Sequence, residues 1–218
     1  TLLYLLPIYA WAGTWIWDRG GIGSNQGIWG TTSAQAQNWD LNTNPSTVSG
    51  VTPDVVFNNQ FVSSNQSVSL RGGAKTVYSI SFQGPYAYSL STPDSSSITL
   101  NKGSGVGPAT IGIYNSLSGN ANQTVGVVVN ATSNVQINNT TPSNTLSFTG
   151  NVNINANSMV VNNTGAITMS TLSGTGAITK QGSGTYTVTG SSSYSGNVTI
   201  SEGTLQMNNR RSLGTTGN

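Results

Sequence analysis

From residue 67 onward, short runs alternate apolar and polar residues. They are SVSL (67–70), TVYSISF (76–82), SITL (97–100), NVQI (134–137), NVNI (151–154), AITM (166–169), AITK (177–180), YTVTG (186–190), NVTIS (197–201) and TLQM (204–207). A period of two places successive side chains on opposite faces of a strand. In NVNI, Val152 and Ile154 share one face, while Asn151 and Asn153 share the other. No segment of ten or more residues carries a helical period with caps, so the pattern predicts an all-β chain.

The spacing of these runs narrows the fold. Ile167, Ile178, Val188 and Val198 stand 11, 10 and 10 residues apart, punctuated by Gly174, Gly176, Gly182, Gly184, Gly190 and Gly196. Short strands at such intervals suit an antiparallel sandwich or the coils of a solenoid with two or three strands each. The strands are brief, and the Asn-Gly and Asp-Gly signals of tight hairpins are missing, which favours the solenoid. In a parallel β-helix each strand stacks on the previous coil about 4.8 Å away. Inward Val, Ile and Leu then form a thin continuous core. Outward Thr, Ser and Asn need no charge, and stacked Asn side chains can bond in ladders.

The chain divides into three zones. All five Trp (11, 15, 17, 29 and 39) precede residue 40. The predicted divisions are an apolar head at 1–13, a Trp-rich segment at 14–58 and a Gly/Asn/Ser/Thr-rich solenoid at 59–218. Composition bounds what such a chain does. Only twelve of 218 residues are charged, and none lies between Lys102 and Lys180. A net charge of +2, scattered along the chain, makes no nucleic-acid footprint. With neither Cys nor His, disulfides and thiolate or imidazole metal sites are excluded. Uncharged polar surfaces associate readily, which suits an assembly.

Residues 172–207, LSGTGAITKQGSGTYTVTGSSSYSGNVTISEGTLQM, carry a family pattern. They resemble the autotransporter-associated β-strand repeat, also called the passenger-associated transport repeat. Gly174, Gly176, Lys180, Gly182, Gly184, Thr185, Tyr194, Gly196, Thr199, Ile200, Gly203, Thr204 and Leu205 fall at the family's offsets. Ile178, Tyr186 and Val188 fill aliphatic slots, and Ser192 stands where Asn is frequent. The Trp-rich opening, with Asn38-Trp39 and then Pro53, Asp54, Val56 and Phe57, is similar to the start of bacterial surface proteins that carry these repeats. The resemblance implies a right-handed parallel β-helix displayed outside the cell. Many members end in a translocating barrel or anchor, which the sequence to Asn218 does not contain.

Candidate chemistry is sparse. Glycoside cleavage normally needs two carboxylates at one bond. The five acids are Asp18, Asp40, Asp54, Asp94 and Glu202, and only Asp40 with Asp54 invites a paired reading. With no His, a Ser or Thr nucleophile would need another base. No enzyme activity and no cofactor are expected. Gly20-Gly21 and Gly72-Gly73 lack the Asp of calcium-binding solenoid turns, so no metal is expected either. Trp29 and Trp39 are candidate glycan contacts, although Trp15, Trp17, Trp29 and Trp39 equally suit a cap over the open end of a solenoid. Glycosylation sequons stand at Asn65, Asn122, Asn130, Asn138, Asn139, Asn162 and Asn197.

The head, TLLYLLPIYAWAG, admits three readings. Ala10-Trp11-Ala12 resembles a signal cleavage site. A membrane anchor needs about 20 apolar residues, and this run is shorter and broken by Pro7, so no transmembrane span is expected. The third reading is an extended strand that docks elsewhere, with Leu2, Leu3, Tyr4, Leu5, Leu6, Ile8, Tyr9 and Trp11 as its interface residues. Taken together, the sequence predicts an extracellular structural protein. Its partners would be copies of itself, joined in a fibre or layer. The alternative is an adhesin that presents a glycan-binding face.

Overall fold

The computed structural model describes residues 14–16, 28–29, 53–57, 64–103, 107–113 and 121–214. Among these residues there is no helix. Twenty short strands wind into parallel coils, about six turns in all.

The coils, taken in chain order, share three columns. β1 (Thr14–Ile16) and β2 (Ile28–Trp29) lead, followed by β3 (Asp54–Phe57), β4 (Gln66–Leu70) and β5 (Lys75–Val77). The next coil is β6 (Ser79–Phe82), β7 (Tyr88–Ser91) and β8 (Ser97–Leu100). Then come β9 (Ala109–Ile113), β10 (Gln123–Val125) and β11 (Val128–Ala131). Two coils follow in which one long strand bends across two columns: β12 (Val135–Asn139) with β13 (Thr145–Asn153), and β14 (Met159–Asn163) with β15 (Ala166–Gly174). The repeat supplies β16 (Ile178–Gln181), β17 (Thr185–Val188) and β18 (Ser193–Tyr194), then β19 (Val198–Ile200) and β20 (Thr204–Met207). The first column runs β1-β3-β6-β9-β12-β14-β16-β19. The other two are joined into a second sheet by β13 and β15.

Register explains why the sequence folds this way. Asp54 pairs with Ser79, Ser79 with Thr110, Thr110 with Gln136 and Gln136 with Val160. Val160 then pairs with Thr179 and Thr179 with Thr199, so the coil settles to 19 and 20 residues. The ten-residue spacing of Ile178, Val188 and Val198 is therefore half a coil. Ile178 pairs with Val198, while Val188 pairs with Met169 in another column. The alternation holds: Val152 and Ile154 are buried, and Asn151 and Asn153 lie at the surface side. TVYSISF is not one strand. It breaks at Tyr78 into β5 and β6, because the chain turns a corner between columns there. The core is a file of inward side chains, with Phe57 stacked on Phe82 at 5.4 Å and tilted against Tyr88 at 5.0 Å.

Candidate functional site

Three kinds of feature rise from this frame: polar caps at the corners, an open coil edge, and the sequence-predicted positions.

The corners hold buried polar side chains. One inward column reads Val55, Ile80, Ile111, Ile137, Val161, Lys180 and Ile200, so a lysine occupies an aliphatic rung. Lys180 is fully buried, and Nζ donates to the carbonyls of Gln181 at 2.8 Å, Gly182 at 2.6 Å and Glu202 at 3.2 Å. Its stem replaces the aliphatic packing while the ammonium ties two turns together. Burial lowers its pKa, and Glu202 partly opposes that shift. Gly203 sits at φ 76 with Lys180 Nζ 2.8 Å from where a Cβ would stand, so a side chain there is doubly disfavoured. Lys75 caps another corner, donating to Arg71 O at 2.5 Å, and burial lowers its pKa too, against the pull of Asp94.

The neighbouring inward column reads Phe57, Phe82, Ile113, Asn139 and Asn163. Stacked Asn was expected outside, and Asn138 and Asn162 pair on the outward phase of their strands, although Asn138 is itself buried. Asn139 and Asn163, however, lie inside, and each bonds to backbone rather than to the other. Asn139 Nδ2 donates to Asn144 O and Ala166 O, both at 2.8 Å. Asn163 Nδ2 donates to Gly165 O and to Thr185 O. Tyr194 does the same for the last corner, its hydroxyl lying 2.8 Å from both Gly176 O and Asn197 O, between which its one proton is shared.

The edge lies on the last described coil. Among the described residues, β19 pairs only with β16, and β20 only with β17. Ile200 and Met207 continue the inward columns of Lys180 and Val188, yet they are 51% and 57% exposed. Val198 and Leu205 are half-buried beside them. Among the described residues, one side of this coil thus carries strand groups without a paired strand beside apolar side chains.

The sequence-predicted positions are dispersed. Leu2, Leu3, Tyr4, Leu5, Leu6, Ile8, Tyr9, Trp11, Trp39 and Asp40 lie outside the described residues. Trp29 ends β2, whose backbone pairs with β4. Asp54, the other half of the Asp40 pairing, accepts a hydrogen bond from the Ser79 hydroxyl in the next coil. Among the sequons, Asn139 is fully buried with its amide nitrogen doubly engaged, and Asn138 is nearly so. Asn65 and Asn122 spend their side-chain oxygens on the Ala87 and Thr145 amides. The inward roles of Lys75, Asn139 and Asn163 have no periodic signal. Only their place in an otherwise apolar phase of a strand could reveal them.

These features define a parallel β-solenoid, held by inward aliphatic files and polar corner caps. Within it, residues 178–207 match the family model of the passenger-associated-transport-repeat. Comparison with curated proteins and with solved structures finds no match. The repeat covers β16 to β20, about one and a half of the last described turns, where the coil length becomes regular. Repeat and solenoid together fit an autotransporter passenger-like surface protein. No helix among the described residues is long and apolar enough to cross a membrane.

Proposed function

We propose that this chain is an extracellular structural subunit that assembles by adding strands at its coil edges. The observation that carries this reading is the parallel stacking of the coils, in which each strand edge and each inward apolar file is covered by the next strand along the axis. Covering apolar surface contributes about 25 cal/mol per Å², and pairing the edge satisfies its backbone groups as well. The head residues Leu2, Leu3, Tyr4, Leu5, Leu6, Ile8, Tyr9 and Trp11 have the composition of a donated strand. A head-to-tail contact of this kind does not close on itself, so it gives a filament. The role is mechanical, with no catalytic step. The test is analytical ultracentrifugation of the full chain beside a variant lacking residues 1–13. The full chain should sediment as concentration-dependent polymers and the shortened chain as folded monomers. Equal sedimentation of the two would refute the donated strand.

A further inference from the structure

A groove of about 570 Å³ opens at a corner where three successive coils turn. Lys102, Pro108, Ser133, Asn134, Asn157 and Val160 are among its lining residues. Its volume is that of a small-molecule site. The polar atoms are held by the fold rather than left to rotate freely. Asn134 Oδ1 accepts the Ser158 N–H at 3.1 Å, which fixes the amide and leaves Nδ2 as a donor. Ser133 Oγ accepts the Lys102 N–H at 2.9 Å, so its own proton is left to donate. Asn157 Nδ2 donates to Ala131 O at 3.0 Å, leaving its oxygen as an acceptor. With the Lys102 ammonium, donors outnumber acceptors, and no carboxylate is among the described lining residues. Pro108 and Val160 add an apolar shelf.

We propose that this groove binds a sugar carboxylate, the acidic unit of a surface polysaccharide. The excess of donors and the single cation fit a carboxylate. The asparagine acceptor fits a ring hydroxyl, and the apolar shelf fits the C–H face of a pyranose. This site is separate from the β19–β20 edge and does not depend on assembly.

The test is ligand-observed NMR titration of the full chain with a glucuronate-containing oligosaccharide, the matched neutral oligosaccharide, acetate and inorganic phosphate. Two variants are used. Lys102→Gln removes the cation. Asn134→Asp keeps the oxygen that accepts Ser158 N–H but replaces the donor with a negative charge. Saturable binding is expected for the acidic oligosaccharide alone, weakened about tenfold by Lys102→Gln and abolished by Asn134→Asp. Raised ionic strength should weaken it further. Circular dichroism confirms that each variant keeps its β signature. The proposal is overturned if the acidic and neutral sugars bind alike, if acetate or phosphate binds as well as the sugar acid, if neither variant changes binding, or if no saturable binding occurs.

Discussion

Lys180 shows how a charge can serve an apolar file. It fills an aliphatic rung with its stem and spends its ammonium on three carbonyls. Lys180→Met keeps the volume and loses the bonds, so we expect a loss of about 1.5–3 kcal/mol in urea denaturation. Exposed Arg210→Gln should stay within about 0.5 kcal/mol. The buried tyrosines set the alkaline limit. Burial pushes the Tyr194 pKa up to about 12, and pushes Tyr88 and Tyr186 upward as well. A raised tyrosine pKa means that the unfolded chain loses its proton first. That stability is complete below about pH 10 and falls as pH rises towards 12. Lys75 and Lys180 act oppositely, because their lowered pKa values make stability rise with pH up to 10.5. Stability measured by denaturant titration should therefore hold or rise slightly to about pH 10 and then fall steeply.

At the scale of elements, the strands differ in what their edges face. Among the described residues, strands such as β6, β9 and β12 pair on both sides, whereas β19 and β20 pair on one. Placing a charge on an open edge is how sheets resist association. Ile200→Lys with Met207→Lys should thus stop polymerisation in ultracentrifugation, at small cost to monomer stability because both side chains are already exposed. The regular strands were legible in the sequence. SVSL, SITL and TLQM coincide with β4, β8 and β20; in the first two alternation and burial agree, and TLQM keeps the alternation although its inward phase is half-buried at Leu205 and exposed at Met207. The repeat was legible because its coils close at a constant length. The earlier coils are longer and unequal, so β7, β9, β10 and β11 lay outside any fixed period. β12 and β14 were also partly hidden, because each ends in an Asn on the inward phase, where a polar residue breaks the apolar signal and bonds to corner carbonyls. The groove was invisible in the sequence, since Lys102, Asn134 and Asn157 stand in separate coils and meet only through stacking.

For the whole molecule, the solenoid is quasi-one-dimensional, and each coil is held by its neighbours. Such a stack extends only along its axis, and the proposed assembly acts there rather than on its sides. The outer faces carry Ser and Thr ladders: Ser147, Thr168 and Thr187 stand in line, uncharged and solvated. They need no partner. The central claim of the proposed function is that a second copy pairs along the solenoid axis. Fibre X-ray diffraction of the assembled full chain, with negative-stain microscopy of the same sample, tests this most directly. End-to-end stacking predicts unbranched filaments one solenoid wide, with a meridional reflection at about 4.8 Å from strands lying across the axis. Single particles at high concentration, or filaments whose strand reflection lies off the meridian, would contradict it.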